Sequence, residues 1–328
     1  MKITAYEVRE DEQKYFKDIA EKYNIDIIYV KETLNVETIE LAKGCEGVTI
    51  LGRSKISSII LDKLKVFNIN YISTRTIGYN HIDLDYARKI GIKVSNSNYG
   101  PNGVADFTLM LILMSIRNYK QAMFRGNVND YSLDGLQGKE MKDLTVGVLG
   151  SGKIGSTVIE LLQGFGCRIL VYDAYPKDKI REKAKYVDLD TLYKESDVIT
   201  LHTPLLKDTH HMINKESIGK MKNGVILINC ARGELMDIED VIAGIETHKI
   251  GGLGLDVIEN EEEIYHQDRR LDILTNRQMA YIRQFPNVTM TQHMAFYTDI
   301  AVSSMVNSGV ESLISFVNTA TSEYEIKR

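Results

Sequence analysis

Three ionisable side chains, each following an apolar run, are the part of this 328-residue sequence with the clearest chemistry. Arg232 lies in INCARGELMD, Glu261 in GLDVIENEEE and His293 in TQHMAF. A forked guanidinium grips a carboxylate and polarises a neighbouring oxo group. A histidine is a general acid near neutral pH, particularly when a carboxylate holds its ring and raises its pKa. The three residues therefore suit a small acid that carries an oxo group, with Arg232 as the clamp for its carboxylate, His293 as the proton donor to the oxo group and Glu261 as the partner of the histidine.

Each of these residues also has a purely structural interpretation. Arg232 could be a solvated residue that follows a strand, and Glu261 could be one member of the acidic run between 259 and 263. His293 could be a core ring hydrogen-bonded to the backbone. Spacing within one sequence leaves these alternatives open.

A glycine-rich turn stands between an apolar strand and a helical pattern in VGVLGSGKIGS. Gly150, Gly152 and Gly155 have the G-x-G-x-x-G spacing, which permits a tight turn and close backbone approach to a pyrophosphate at a helix N-terminus. Asp173 ends the next strand, RILVYD, where a carboxylate binds ribose hydroxyls and repels a 2′-phosphate. This context predicts NAD rather than NADP, with a glycine turn that binds no ligand as the alternative.

Other histidines and cysteines receive structural interpretations. His210 and His211 are adjacent, so on a regular strand their rings would point to opposite faces. A loop could still bring the two rings together, but no metal site is predicted. His202 is assigned to the cofactor-side loop. Cys230 is interpreted as a small residue beside NAD, with a redox-sensitive thiol as the alternative.

Two series of alternating strands and helices are needed to position these residues. Short apolar runs such as DIIYV and GVTIL alternate with amphipathic ones up to residue 99, and a second series opens at TVGVLGSGKIG. Such alternation predicts parallel sheets with helical crossovers, whose strands have ligands at their carboxyl ends. The predicted fold class is α/β, with two doubly wound parallel-sheet domains and a ligand cleft between them.

The domain boundaries follow from breaks in the pattern. Pro101 precedes a long helical segment, so the chain is expected to cross to the second domain near residue 100. The tail that begins at residue 299 is a further helix, expected to pack on the first domain. The predicted domains are therefore 1–99 plus 299–328, and 100–298.

Composition excludes several classes of function. A formal net charge of −5 leaves no cationic field for nucleic acid. Three cysteines without a CxxC motif indicate a reducing compartment, so a cytoplasmic location is expected. No signal peptide is recognised, and the longest apolar run, 107–116, is about half of a bilayer span, so no membrane association is expected.

Four motifs in order, VGVLGSGKIG, INCARGELMD, GLDVIENE and TQHMAFYT, resemble those of the NAD-dependent D-isomer-specific 2-hydroxyacid dehydrogenases, particularly the D-lactate dehydrogenase branch. The resemblance covers nearly the whole chain. It implies a Rossmann NAD-binding domain inserted into a flavodoxin-like substrate domain. It also implies a homodimer, paired through the helix that contains FTLMLILMSI. Arg232 would bind and orient the 2-oxo acid, His293 would be the acid/base, and Glu261 would be its partner.

The resemblance implies further binding residues. The N–H groups of Ile77 and Gly78, in TRTIGYNHID, would bind the substrate carboxylate, and Tyr99 would also contact the substrate. Phe296, close to the histidine in sequence, is expected to shape the substrate pocket. Asp256 would stand near the nicotinamide. The implied cofactor contacts are Gly150, Ser151, Gly152, Lys153, Ile154, Gly155, Asp173, Thr203, Pro204, Thr209, Cys230, Ala231, Arg232 and Asp256.

Different parts of the chain resemble different branches of the family. YISTRTIGYNHID, VADFTLMLILMSIRN and GFGCRIL look like the D-lactate-producing enzymes of vancomycin resistance, whereas MKITAYEVREDEQKYF looks like D-2-hydroxyisocaproate dehydrogenases. Reduction of pyruvate to D-lactate is therefore the first expectation, and reduction of a branched or larger 2-oxo acid is the second. An NAD-sensing, corepressor-like binding protein is the alternative of another class. Gln292 stands where the family usually has proline, and Met294 follows the histidine, so both bear on substrate preference.

Overall fold

The structure is a computed structural model that describes residues 1–261 and 264–327. The chain divides into two compact units, Met1–Gly100 with Tyr297–Arg328, and Pro101–Phe296. These bounds differ by at most two residues from those expected from the sequence. The second unit is an insertion into the first.

Strands and helices alternate along the chain, as the two hydrophobic periods predict. The strands are β1 (Lys2–Ala5), β2 (Asp26–Tyr29), β3 (Gly47–Ile50), β4 (Tyr71–Thr74), β5 (Lys93–Ser95), β6 (Thr145–Leu149), β7 (Arg168–Tyr172), β8 (Lys185–Tyr186), β9 (Val198–Leu201), β10 (Val225–Asn229), β11 (Ile250–Leu255) and β12 (Val288–Met290). The α-helices are α1 (Gln13–Tyr23), α2 (Ser58–Val66), α3 (Leu84–Lys89), α4 (Asn102–Ile116), α5 (Tyr119–Asn127), α6 (Lys153–Gln163), α7 (Asp178–Arg181), α8 (Leu189–Glu195), α9 (Lys215–Lys220), α10 (Ile238–Glu246), α11 (Arg277–Ile282) and α12 (Asp299–Thr319).

The first unit contains a five-stranded sheet with the order β2-β1-β3-β4-β5, and all its strand pairs are parallel. Strand β3 is buried throughout, as expected where helices cover both faces of a parallel sheet. The side chain of Arg75, directly after β4, is fully buried: its Nε donates to Glu12 Oε1 at 2.9 Å and its Nη2 to the Tyr6 carbonyl at 2.9 Å. This ion pair anchors the chain where it leaves β4.

Helix α12 packs against β3 and β4 of the first unit, as expected. By length and composition alone it could cross a membrane, but 56% of its most apolar 18-residue window is buried within the structure. Val306, Val310 and Leu313 form a core cluster there with Ile3 and Phe16. The apolar composition of α12 is thus accounted for by the core of the first unit.

The second unit contains a seven-stranded parallel sheet with the order β12-β11-β10-β9-β6-β7-β8. From β6 the chain builds outwards to β7 and β8, then returns to add β9 on the other side of β6. The carboxyl ends of β6 and β9 therefore form the switch point at which open α/β sheets bind ligands. Strands β6 and β10 are buried along their whole length, as the apolar runs predict.

Helix α4 carries the apolar run 107–116 and packs on β10, β11 and α6. Leu109, Leu111, Ile112 and Ile116 are buried there, whereas Met110 is 38% exposed. Packing within the unit therefore explains most of the run. A homodimer through this helix stays a prediction.

Candidate active site

The glycine-rich turn joins β6 to α6, and two of its glycines are required by steric contacts. Gly150 has φ of 95°, and a Cβ there would lie 2.8 Å from the His202 carbonyl oxygen. A Cβ on Gly155 would lie 2.0 Å from the Gly150 carbonyl oxygen. A Cβ on Gly152, the N-cap of α6, would meet nothing within 4 Å. The turn therefore packs tightly on the protein at Gly150 and Gly155 and leaves free space at Gly152, beside the first N–H groups of α6. Free space at this position fits a bound pyrophosphate.

Asp173 follows β7 and holds the glycine-rich turn. Its Oδ2 accepts hydrogen bonds from the N–H and Oγ of Ser151, at 2.6 and 2.7 Å, and its Oδ1 accepts one from the Tyr175 N–H at 2.8 Å. Burial raises the pKa of Asp173, whereas these hydrogen bonds and the charge of Lys177 lower it. The lowering effects together outweigh the effect of burial, so the pKa lies below its ordinary value. The carboxylate is thus ionised at neutral pH, as binding of ribose hydroxyls requires.

The loop after β9 carries Thr203, Pro204 and Thr209. Thr209 Oγ1 donates to the Pro204 carbonyl at 2.7 Å and accepts from the Leu206 N–H at 2.8 Å, so this side chain fixes the turn. His202 begins the loop and pairs its Nε2 with Thr200 Oγ1 at 2.9 Å. Burial lowers the pKa of His202 to about 3, so this ring is neutral and supports the loop structurally.

His293 lies in the segment that follows β12 and has the left-handed φ of 53°. Its N–H donates to the Asp256 carbonyl at 2.8 Å, and its Nδ1 pairs with Glu261 Oε1. The second oxygen of Glu261 accepts from the Ile258 N–H at 2.7 Å, which fixes the carboxylate. Within residues 1–261 and 264–327, Nε2 of His293 makes no hydrogen bond and is available to a substrate.

The charges around His293 favour its protonated form. Burial lowers its pKa, whereas the hydrogen bond and charge of Glu261 and the charge of Asp256 raise it, and Arg232 lowers it. The net pKa lies above the ordinary value for histidine. At neutral pH the ring is therefore protonated more often than a free histidine, as a general acid should be.

The contacts of His293 and Glu261 argue against the purely structural interpretations of these two residues. The His293 side chain is 33% exposed and its ring pairs with a carboxylate rather than with the backbone. The Glu261 side chain is only 17% exposed and faces the histidine. Glu262 and Glu263, the other end of the acidic run, lie outside the described residues.

Asp256 follows β11 and is completely buried. Its Oδ1 accepts from Thr291 Oγ1 at 2.6 Å and from the Met294 N–H at 2.9 Å, and its Oδ2 accepts from the Ala295 N–H at 2.8 Å. The carboxylate thus fixes the backbone that follows His293 and the Thr291 side chain that precedes it. Its contact with a cofactor stays a prediction.

Arg232 belongs to the turn after β10, which Asn229 holds from within. Asn229 Oδ1 accepts from the Ala231 N–H at 2.9 Å and its Nδ2 donates to the Arg232 carbonyl at 2.7 Å, while Nη1 of Arg232 donates to the Ala231 carbonyl at 2.6 Å. A Cβ on Gly233 would lie 2.2 Å from the carbonyl carbon of Ile258. The arginine turn therefore packs directly on the segment that leads to Glu261.

Cys230 precedes this turn as a buried thiol. Burial and the charge of Asp256 raise the pKa of Cys230 to about 12, against a hydrogen bond with Thr108 that lowers it. The thiolate that oxidation requires is therefore scarce, which favours the interpretation of Cys230 as a structural residue.

Two rings lie beside His293, and only one of them was expected from the sequence. Phe296 is at 6.3 Å between ring centroids, in an edge arrangement, and His266 is at 6.1 Å. His266 Nε2 also pairs with the His293 carbonyl at 3.1 Å. No motif or spacing in the sequence indicates His266, because the contact depends on the path of the loop after Glu261.

The substrate residues implied in the first unit lie after β4 and β5. The Ile77 carbonyl accepts from Asn96 Nδ2 at 2.9 Å and the Gly78 carbonyl from Thr76 Oγ1 at 2.6 Å. In the described part of the chain, the N–H groups of Ile77 and Gly78 donate to no protein acceptor. Tyr99 is half-buried near the end of this part of the unit. Carboxylate binding by the two N–H groups stays a prediction.

His210 and His211 follow the loop alternative rather than the regular strand. The two residues lie in a turn rather than on a strand, and their rings stack at 3.9 Å between centroids instead of pointing to opposite faces.

Comparison with known proteins identifies the family. The family described as D-isomer specific 2-hydroxyacid dehydrogenase, NAD binding domain, matches residues 108–295. The aromatic 2-oxoacid reductase of Clostridium sporogenes is 43% identical over 318 residues, 96% of each chain. The D-lactate dehydrogenase of Escherichia coli is 35% identical over 315 residues, 95% of this chain and 96% of the other. The structure of a D-2-hydroxyisocaproate dehydrogenase matches with a TM-score of 0.92 and 33% identity over the whole of both chains.

These findings confirm the predicted fold class, the NAD cofactor and the family expected from the four motifs. The chain belongs to the D-isomer-specific 2-hydroxyacid dehydrogenases and is an NAD-dependent oxidoreductase.

Proposed function

We propose that this chain reduces a 2-oxo acid to the D-2-hydroxy acid with His293 as the general acid and Arg232 as the carboxylate clamp. The Glu261–His293 pair carries the proposal, because it places a ring of raised pKa beside a cationic turn. NADH, when bound, supplies the hydride to C2 of the substrate. The side chains of the protein must then bind the 2-oxo acid, orient it and supply one proton.

The proton passes from Nε2 of His293 to the substrate oxygen, since Nδ1 faces Glu261. Glu261 stabilises the imidazolium before transfer and keeps the remaining proton on Nδ1, which fixes the tautomer. In the reverse direction the neutral ring accepts a proton from the hydroxyl at the same atom. One residue thus serves both directions in opposite protonation states.

Arg232 is proposed to hold the substrate carboxylate and polarise its oxo group. A guanidinium offers parallel N–H donors in a planar fork that matches a carboxylate, which a lysine lacks. Asn229 holds the turn that contains Arg232, so the backbone of Arg232 is fixed without any contact from the substrate. We also propose that the N–H groups of Ile77 and Gly78, with Tyr99 and Phe296, contribute to substrate binding.

Pyruvate, reduced to D-lactate, is the proposed substrate, supported by the likeness to the Escherichia coli D-lactate dehydrogenase and by the motifs of the D-lactate branch. A larger 2-oxo acid, branched or aromatic, is the second candidate. It is favoured by the 43% identity to an aromatic 2-oxoacid reductase and the fit to a D-2-hydroxyisocaproate dehydrogenase. A homodimer and a cytoplasmic location are part of this proposal.

A panel of 2-oxo acids tests the substrate. NADH oxidation would be followed with pyruvate, 2-oxoisocaproate and phenylpyruvate, ranked by kcat/KM, with chiral analysis of each product. The highest kcat/KM for pyruvate, with D-lactate as the product, supports the first candidate, whereas a preference for either larger acid replaces it with the second. Tight NADH binding without turnover of any acid would instead favour the NAD-sensing class.

His293→Asn tests the acid. We expect unchanged NADH affinity and a loss of about 10²- to 10⁴-fold in kcat, the usual contribution of general acid–base catalysis. Wild-type kcat in this variant would remove His293 from the mechanism.

A further inference from the structure

A cluster of side chains that could bind a metal ion lies in the second unit, apart from His293 and Glu261. His210, His211 and Glu259 each offer one ligand atom, and these atoms all lie within 4.8 Å of one another. His211 Nε2 is 3.1 Å from Glu259 Oε2. The exposed His210 ring stacks on His211 at 3.9 Å between centroids, and it would have to turn about its side-chain dihedrals to direct a nitrogen lone pair at a shared ion. Two ligands of about 2.0–2.2 Å bond length around a tetrahedral ion stand roughly 3–3.5 Å apart, so the His211–Glu259 spacing fits a shared ion.

An additional carboxylate lies near the other nitrogen of His211. Asp237 Oδ2 lies 3.5 Å from His211 Nδ1, on the side of the ring away from Glu259. Metal-bound histidines commonly present their second nitrogen to a carboxylate, which fixes the ring and raises its basicity. This contact distinguishes the cluster from a histidine that merely pairs with one surface acid.

The backbone holds both halves of the cluster in place. The His211 N–H donates to the Glu234 carbonyl at 2.8 Å, and the His211 carbonyl accepts from Asn214 Nδ2 at 2.9 Å. On the other side, the Glu259 carbonyl accepts from Asn276 Nδ2 at 3.1 Å. The ligand atoms therefore sit on restrained segments, and little chain entropy is lost when an ion binds.

We propose that His210, His211 and Glu259 form a divalent-cation site that takes zinc. Two imidazoles and one carboxylate are a ligand set that zinc uses, with a fourth position left for water. The bound ion would cross-link the turn after β9, which contains the two histidines, to the segment after β11, which contains Glu259. This site does not include His293 or Glu261, and the proposal does not depend on the identity of the 2-oxo acid.

Zinc titration of the metal-free full chain tests the site. The chain would be stripped with a chelator and titrated with Zn²⁺ by calorimetry. We expect one equivalent per chain, with affinity lowered about 10- to 100-fold or more in His211→Asn and in Glu259→Gln. Asp237→Asn should lower it by about tenfold, as for other groups that orient a ligand. Asparagine suits position 211 because it tolerates the left-handed φ of 49° found there.

His248→Asn is the matched control, since His248 is an exposed histidine of the same unit that also has a left-handed φ, of 57°. It should bind zinc as the wild type does. Substitution of Co²⁺ gives a second measurement, because its visible absorption should disappear in His211→Asn while circular dichroism shows the fold intact. Wild-type zinc affinity in both His211→Asn and Glu259→Gln, or no zinc uptake by the wild type in several-fold excess, would overturn the proposal.

Discussion

Replacing Glu261 with glutamine should move the pH dependence of reduction without unfolding the protein. Glutamine keeps the size of the side chain and an oxygen for the Ile258 N–H, but it removes the negative charge beside Nδ1 of His293. Burial and Arg232, which both lower the pKa of His293, remain. The pKa of His293 should therefore fall, and the ring should lose its proton at a lower pH than in the wild type.

The magnitude follows from the strength of the lost hydrogen bond. A hydrogen bond to a charged group contributes about 1.5–3 kcal/mol, and each 1.4 kcal/mol is a factor of ten in an equilibrium. On the alkaline side of the pH profile, the fraction of protonated His293 should thus fall roughly 10- to 100-fold. Reduction needs the protonated ring, so its kcat/KM should fall by a similar factor there. Oxidation of the D-2-hydroxy acid needs the neutral ring, so its activity should extend to lower pH.

Both directions would be measured across pH in the wild type, in Glu261→Gln and in Glu182→Gln. Glu182 is an exposed acid of the same unit and should leave both profiles unchanged. A lower pKa of His293 should decrease the reductive activity and increase the oxidative activity at the same intermediate pH. A variant that is merely misfolded would lose activity in both directions. A Glu261→Gln enzyme with the wild-type alkaline limb would refute the assignment of this carboxylate.

Three further substitutions test other parts of the site. Arg232→Lys should raise KM for the 2-oxo acid with little change in NADH affinity, because one ammonium cannot make the paired contacts of a guanidinium; an unchanged KM would contradict the clamp. Gly155→Ala should weaken NADH binding, measured by fluorescence titration, since the added Cβ would lie 2.0 Å from the Gly150 carbonyl oxygen; Gly164→Ala, where the nearest such contact is 3.4 Å, is the control. Asp256→Asn should lower the free energy of unfolding by about 1–3 kcal/mol in urea denaturation, because the amide group leaves a buried N–H donor without its acceptor. Wild-type stability would show that this buried N–H does not need the second carboxylate oxygen as its acceptor.

The sequence predicts the parts of the site that depend on periodicity and on strand ends. Apolar runs separated by helical patterns identify the parallel strands, and Arg232, Asp256 and His293 follow three of these strands closely. Because parallel strands have their carboxyl ends at one edge of a sheet, such residues are expected together. The glycine spacing is equally direct, since Gly150 and Gly155 meet steric limits within a single turn.

Other features depend on contacts between segments that are distant in sequence. The carboxylate of Asp256 could have pointed to a ligand, and only the fold shows that it binds the backbone of Met294 and Ala295. His266 approaches His293 through the path of a loop that has no repeating pattern. The stacking of His210 on His211 depends on a turn fixed by hydrogen bonds. The sequence alone therefore leaves open whether the two rings point apart, as on a strand, or lie together.

Backbone contacts between strand ends explain how the proposed catalytic residues are positioned at the end of the sheet. The Asp256 N–H donates to the Asn229 carbonyl at 2.9 Å, and the Asp256 carbonyl accepts from the His293 N–H at 2.8 Å. Thr291 continues the series, with its N–H bound to the Leu255 carbonyl at 2.9 Å. The chain beyond β10, β11 and β12 is thereby joined across the sheet by the same kind of bond that pairs the strands. Because Asn229 also shapes the Arg232 turn, the backbones of the proposed clamp and the proposed acid are both held by hydrogen bonds at the carboxyl end of one sheet.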